Sequence, residues 1–269
     1  MGARQGRDEV ERDELRITYI GGPTALLEMG GLRLLTDPTF DPAGATYTTP
    51  VYTLRKTAGP ALQPAALGRV DAVLLSHDHH FDNLDQAGRA LLASAGEVLT
   101  TPAGAERLGG RSVGLEPWRT VELSARDGVA LRVTATPARH GPVGGDRGPV
   151  TGFALALAGA PGGVVYVSGD TVWYEGVAEV ARRFPVRVAV LFMGAARVRE
   201  VGGSSLTFTA EEGVEAARAF AGATIVPLHY EGWAHFSESR GTIEGAFAAA
   251  GLQHRLAFAE PHRSTSFAL

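Results

Sequence analysis

Cysteine is absent from this 269-residue chain. The chain therefore has neither disulfide bonds nor thiolate metal ligands, and this composition fits a reducing compartment. A basic excess is also missing: the formal net charge is −4, which argues against a nucleic-acid-binding surface. Long uninterrupted apolar runs are missing as well. The most apolar stretch, residues 152–169, is broken by Pro161, Gly162 and Gly163, so it predicts two core strands and a turn rather than a membrane span.

The amino-terminal residues are polar and charged, which does not match a signal peptide or a membrane anchor. Apolar residues make up 45% of the chain and charged residues 20%, as in an ordinary globular protein. We therefore predict a polar extension over residues 1–14, followed by one domain over 15–269 in a soluble cytoplasmic protein without a membrane partner. The oligomeric state stays open, a homo-oligomer included.

Hydrophobic periodicity predicts strands first, and strands alternating with helices later. Three short strands at 15–20, 24–29 and 32–36 precede a loop at about 38–66, which is long enough to act as a lid. A buried strand at 70–76 and a helix at about 82–92 follow. Further strands are expected at 121–125, 129–138, 151–158, 164–170, 188–194 and 224–230, and helices at 175–184, 209–220 and 241–251. Thr209 and Glu212 resemble a capping box at the start of the second of these helices. This order indicates an α/β fold with sheets inside and helices outside.

The segment SHDHHFDNLD, residues 76–85, holds three of the eight histidines directly after a buried strand. His77 and His79 are two residues apart, so both side chains can point to one side at the edge of the sheet. Neutral imidazoles in such a position are natural ligands for a divalent metal. Asp82 and Asp85 follow at the predicted helix start. A capped helix with solvated polar residues explains any one of these side chains better than it explains the whole cluster.

Three further strand ends carry similar residues: His140, Asp170 and His229 each follow an apolar strand. Taken singly, either histidine is typical of a surface position and Asp170 of a turn cap. Four such strand ends in one chain indicate a shared site, because strands of a layered α/β domain can end at one common edge.

These motifs resemble the metallo-β-lactamase fold superfamily, and most of all its branch with the ascorbate-6-phosphate lactonase and related metal-dependent hydrolases. The resemblance rests on ITYIGGPTALLEMGGLRLLTDPTF, SHDH, DNLD, PARHG, SGDT and PLHYEGWAHF, between about residues 15 and 240. It implies a four-layer αββα sandwich with mixed sheets inside and helices outside. It also implies two divalent metal ions, with zinc favoured and manganese or iron as alternatives.

By this resemblance, His77, His79 and His140 bind the first metal, Asp82 and His229 contribute to the second, and Asp170 bridges both. Asp82 and Asp170 are then also the catalytic residues. The implied function is a hydrolase in which hydroxide bound to the two metals attacks a carbonyl substrate: a lactone, ester, thioester or amide. The alternatives are a small-molecule phosphodiesterase of the same fold, or a metal-binding pseudo-enzyme or diiron redox protein.

The loop departs from the family pattern, His-x-His-x-Asp-His, because it is one residue longer. Aligned from its end, it has Asp82 at the family aspartate and Asn83 at the last histidine; aligned from its start, it has Phe81 at the aspartate and Asp82 at that histidine. His80 or Asn83 is therefore a substitute ligand for the second metal. Arg197 and Arg199 suit an anionic group, although a solvated loop explains them better. Aromatic candidates for contact with a small-molecule substrate are Trp173, Tyr174, Tyr230, Trp233 and His235.

Overall fold

The computed structural model describes residues 14–125, 128–159 and 162–269. Of the predicted extension over 1–14, residues 1–13 lie outside the described part, and Glu14 opens the first strand. The strands are β1 Glu14–Gly21, β2 Thr24–Met29, β3 Leu32–Thr36, β4 Thr46–Thr48, β5 Thr53–Arg55, β6 Ala72–Leu74, β7 Glu97–Thr100, β8 Ser112–Gly114, β9 Thr120–Ser124, β10 Ala130–Pro137, β11 Thr151–Leu157, β12 Val164–Val167, β13 Val186–Phe192, β14 Thr224–Leu228 and β15 Ser264–Ala268. The α-helices are α1 Gln86–Leu91, α2 Pro102–Leu108, α3 Glu175–Arg183, α4 Ala210–Ala219 and α5 Arg240–Ala249, and short 3-10 turns lie at 64–66, 92–94, 199–201 and 253–255.

Two mixed sheets form the centre of the domain. The first has the order β15-β1-β2-β3-β6-β7-β8, antiparallel from β15 to β3 and parallel from β3 to β8. The second has the order β14-β13-β12-β11-β10-β9, in which β12, β13 and β14 are parallel. Strands β4 and β5 form a separate hairpin within the long loop at 38–66.

The sheets face each other across one apolar core, because alternate residues of their strands point between them. Leu15 and Ile17 of β1 meet Leu131 and Val133 of β10 in this core. Strand β13 is buried on both faces, as expected of a central parallel strand that helices cover.

Helices cover the outer faces of both sheets. Helix α1 packs on the first sheet, and α3, α4 and α5 pack on the second in a cluster with the other face of β13. The structure thus confirms the predicted four-layer αββα sandwich. None of the described helices is both long and apolar enough to cross a membrane.

Most differences from the sequence-based elements are local. Helix α1 begins at Gln86 and not near residue 82, because the Asp85 side chain accepts a hydrogen bond from the Gly88 amide and so caps it. The capping box of Thr209 and Glu212 is confirmed. The predictions missed β7, α2 and β8, and also β15.

Candidate metal centre

Four strand ends meet at one edge of the two sheets, and each delivers part of the site. His77 follows β6, His140 follows β10, Asp170 follows β12 and His229 follows β14. Local backbone geometry sets two of these positions. Gly169, before Asp170, has φ of 60°, and a Cβ there would lie 2.6 Å from the Thr151 carbonyl oxygen. His229 itself has φ of 55°, a conformation that non-glycine residues adopt mainly where the surrounding structure enforces it.

Three imidazole nitrogens converge on one side of the site. His80 Nδ1 lies 2.9 Å from His77 Nε2 and 3.1 Å from His140 Nε2. His140 Nδ1 donates to the Leu206 carbonyl oxygen at 2.8 Å, which leaves its Nε2 with a free lone pair in the neutral ring. Ligand nitrogens around one tetrahedral zinc, about 2.0–2.1 Å from the metal, lie roughly 3.3 Å apart. The three rings therefore present a face of suitable size for one metal ion.

His79, which the sequence places in this group, is held by a backbone carbonyl as His140 is. Its Nε2 donates to the Arg147 carbonyl oxygen at 2.8 Å, while its buried Nδ1 has no partner among the described residues. One of its ring nitrogens still lies within 4.8 Å of ring nitrogens of His77 and His80. The additional histidine of the loop, His80, thus takes the position that links His77 to His140.

Two carboxylates and a histidine form the other side of the site. His229 Nε2 lies 3.6 Å from Asp82 Oδ2 and 3.5 Å from Asp170 Oδ1. The second oxygen of Asp170, Oδ2, lies 3.6 Å from His140 Nε2. Asp170 therefore stands between the two groups, with one oxygen toward each. His235 Nε2 lies 3.0 Å from Asp82 Oδ2 and holds that carboxylate in place.

Several buried polar atoms here lack a partner, and a cation would satisfy them. Both oxygens of Asp170 and both ring nitrogens of His229 are buried without a hydrogen bond in the described part of the chain. Such atoms cost several kcal/mol in an apolar interior unless they are compensated. The donors are nitrogen and oxygen atoms only, which suits zinc, manganese or iron. The residues present therefore fit divalent metal ions.

The site's pKa shifts follow from burial and from its paired charges. Burial lowers the pKa of His77 well below its usual value and, with the neighbouring His140, lowers that of His80 to about 3, so both rings are neutral. Burial alone would raise the pKa of Asp82, but His229 and His235 hold it well below its usual range. For His229, the charges of Asp170 and Asp82 outweigh burial and raise its pKa to about 9.

Asn83 contacts Asp37 through its amide nitrogen, while its amide oxygen is buried without a hydrogen bond in the described part of the chain. Its Nδ2 lies 3.4 Å from Asp37 Oδ2, and the other oxygen of Asp37 accepts the Ser76 amide at 2.6 Å. Burial raises the pKa of Asp37 to about 8, and the charge of Asp170 adds to this effect.

A small cavity covers the site. Its volume is about 30 Å³, which is room for about two water molecules. The cavity is lined by His80, Asp82, His140 and His235 at its base, and by Tyr52, Leu54, Arg147, Ala196, Val198, Val201 and Leu206 around them.

Of the five substrate-contact candidates, His235 lines this cavity and the others do not. Trp173 borders a separate surface groove, Tyr174 packs against Arg139, Tyr230 packs against Phe258, and Trp233 stacks obliquely on Tyr47.

No motif in the sequence pointed to Tyr52 or Arg147, which both line this cavity. Tyr52 comes from the β4–β5 hairpin, so the long loop contributes a wall of the site. The hairpin is fastened by Lys56, whose Nζ lies 2.9 Å from Asp85 Oδ2 with both side chains buried. Asp85 also accepts hydrogen bonds from the Phe40, Asp41 and Gly88 amides. This ion pair joins the hairpin to the end of the histidine loop.

Sequence comparisons place this architecture among known proteins. The profile of the Beta-lactamase superfamily domain matches residues 32–230, about three quarters of the chain. An uncharacterised protein of Mycobacterium tuberculosis is 35% identical over 136 residues, which cover 48% of this chain and 35% of that relative. The chain thus spans about a third of the length of this relative. UPF0173 protein YddR of Bacillus subtilis is 26% identical over 268 residues, covering 94% of this chain and 100% of YddR. A UPF0173 metal-dependent hydrolase of Pyrobaculum neutrophilum is 26% identical over 221 residues, covering 80% and 84%.

Two solved structures share the whole fold. An isothiocyanate hydrolase from Delia radicum gut bacteria superposes with a TM-score of 0.80 at 22% identity, covering 94% of this chain and 100% of that one. Igni18, a metallo hydrolase from Ignicoccus hospitalis, superposes with a TM-score of 0.68 at 21% identity, covering 95% and 99%. At these identities the likeness establishes the fold.

Proposed function

We propose that this chain, which belongs to the metallo-β-lactamase superfamily, is a metal-dependent hydrolase of small molecules. The observation that carries the proposal is the carboxylate of Asp170. It is buried and unpartnered in the described structure, with one oxygen toward His140 and the other toward His229. Relatives named metal-dependent hydrolases support the same reaction class.

The ligand set we propose follows the observed orientations. His77, His79, His80 and His140 would offer their free ring nitrogens to one ion, Asp82 and His229 would hold the other, and the Asp170 carboxylate would serve both. Relative to the pattern expected from the family, His80 is an additional nitrogen donor between His77 and His140. Asn83 could contribute to the second ion only through its amide oxygen, since its amide nitrogen lies 3.4 Å from Asp37 Oδ2.

Bound metal ions and the side chains around them would make different contributions to the reaction. Divalent ions lower the pKa of bound water toward neutrality and polarise the bond under attack. His235 orients Asp82 through the 3.0 Å contact, so that the carboxylate keeps a fixed direction. The apolar side chains Leu54 and Leu206 keep bulk water out of the cavity, which strengthens every charge interaction inside it.

The substrate class we propose is a small compound with an electrophilic carbon: a lactone, ester, thioester or amide. The cavity is partly apolar and too small for a polymer, and a short acyl compound would enter it only as the surrounding side chains move apart. The isothiocyanate hydrolase has the same fold, and the reacting atom of an isothiocyanate is likewise an electrophilic carbon. Zinc is the ion we expect, with manganese or iron as alternatives.

Metal analysis tests the proposal directly. We expect about two ions per chain, because the site offers two donor groups joined by one carboxylate. A chelator should abolish hydrolysis of responsive compounds in a panel of esters, thioesters, lactones and phosphodiesters, and added metal should restore it. Protein that holds no metal and gains none on reconstitution would contradict the proposal. Turnover of the phosphodiesters alone would replace the carbonyl class by phosphorus chemistry.

A matched pair of variants tests the role of the additional histidine. We expect His80→Ala to lose about one equivalent of metal, because His80 Nδ1 is the atom that approaches both His77 and His140. His79→Ala should also lose metal, because the bond from Nε2 to the Arg147 carbonyl oxygen leaves the buried Nδ1 with a free lone pair close to His77 and His80. Elemental analysis, with circular dichroism to confirm folding, measures both losses. Loss of metal from His79→Ala but not from His80→Ala would restore the usual family ligand set.

A further inference from the structure

The loop between β10 and β11 places one arginine at the cavity, and two histidines of the site fix its backbone. The Arg147 amide donates to the His140 carbonyl oxygen at 2.9 Å. Its own carbonyl oxygen accepts from His79 Nε2 at 2.8 Å. Two histidines of the site therefore hold the backbone of Arg147, one through its N–H and the other through its C=O.

The guanidinium of Arg147 lacks an anionic partner. One of its terminal nitrogens donates to the Val201 carbonyl oxygen across the cavity. Its Nε is buried without a hydrogen bond, and no described carboxylate pairs with it, in contrast to Arg107, which binds Asp78. A guanidinium offers five N–H donors, and burying one without a counter-charge is unfavourable. The structure thus leaves an unmatched positive charge at the cavity.

The guanidinium of Arg147 lies at a cavity that has apolar side chains in its walls and proposed metal ligands at its base. Arg147 is the one arginine or lysine among the residues that line the cavity, whose walls include Leu54, Val198 and Leu206. Burial and the charge of Asp82 raise the pKa of Tyr52, while the charge of Arg147 lowers it. The charges of Arg147 and of the proposed metal ligand Asp82 therefore both shift the pKa of the Tyr52 phenol, and all three side chains line one cavity.

We propose, on the basis of the hydrolase function above, that Arg147 anchors a carboxylate of the substrate. The substrate class is a short acyl compound with the scissile carbonyl toward Asp82 and Asp170 and a free carboxylate at its other end. A guanidinium matches the planar carboxylate with two parallel hydrogen bonds, which gives both affinity and a fixed orientation. The arginines suggested by the sequence do not share this role: Arg197 is exposed and its Nε is bonded to Ser205 Oγ at 3.3 Å.

Binding of two ketones to the zinc-loaded full chain tests this role without turnover. The probes are 4-oxopentanoate and 4-oxopentanamide, which have the same shape and differ in one negative charge. Calorimetry should show the carboxylate binding the unsubstituted protein on the order of tenfold tighter or more. Arg147→Met should remove this preference without weakening the amide, and Arg147→Lys should keep part of it. The control Arg197→Met should retain the full preference.

Three results would overturn the inference. Equal affinity of both ketones for the unsubstituted protein would show that the cavity does not recognise the charge. A preference that survives in Arg147→Met would assign recognition to the metals. An equal weakening of both ketones in Arg147→Met would make Arg147 a bridge to the Val201 loop and nothing more. Hydrolysis of monomethyl succinate and methyl succinamate is measured in parallel. Absent turnover together with an Arg147-dependent binding preference would refute the reaction class and leave the anchor in place.

Discussion

Replacing Asp170 by asparagine is expected to cut turnover on the order of a hundredfold or more and to lower metal occupancy, while the fold survives. The two oxygens of Asp170 face His140 and His229, and neither has another partner in the described structure. Asparagine keeps the shape but removes the negative charge and replaces one oxygen by a donor, which no cation accepts as a ligand. Elemental analysis and steady-state kinetics measure the two effects.

Asp78→Asn is the matched control for this substitution. Asp78 lies between His77 and His79, but its carboxylate is bound by Arg107 at 2.9 and 2.5 Å and faces away from the site. This variant should keep its metal and most of its activity. Near-normal turnover and full metal content in Asp170→Asn would show that Asp170 only completes its turn.

Replacing Asp85 by asparagine is expected to destabilise the protein by about 3–5 kcal/mol, because it leaves Lys56 as an uncompensated buried charge. Lys56→Met should cost less, since Asp85 would still accept hydrogen bonds from the Phe40, Asp41 and Gly88 amides. The free energy of unfolding, from urea titrations followed by circular dichroism, gives both values.

An exposed ion pair supplies the control for the buried one. The side chains of Arg182 and Glu175 are 57% and 79% exposed, so Glu175→Gln should change stability by less than about 1 kcal/mol. If Asp85→Asn cost no more than this control, the buried pair would contribute little to holding the hairpin.

The strand ends of the site could be predicted from the sequence because each combines an apolar run with a polar residue at its end. His77, His140, Asp170 and His229 all follow that pattern, and the four-layer fold brings their strands to one edge. The pattern depends only on which residues are buried, and burial is the strongest signal in a sequence.

The orientation of side chains within the loops could not be predicted in the same way. His79 and His80 are adjacent, and which of them faces His140 depends on hydrogen bonds to residues as distant as Arg147. Arg147 itself lies in a glycine-rich turn without periodicity, so no local pattern marked it. The start of α1 was placed too early because Asp82 and Asp85 are both reasonable caps, and only Asp85 accepts the Gly88 amide.

The burial of Lys56 has a consequence for covalent labelling of this protein. It is the chain's only lysine among 25 lysine and arginine side chains, and its side chain is 4% exposed. Burial also lowers its pKa, although Asp85 counteracts this effect. Amine-reactive reagents therefore find no accessible lysine on the folded surface and reach Lys56 only when the hairpin separates from Asp85. The rate at which Lys56 is modified therefore measures how often the β4–β5 hairpin opens next to the metal centre.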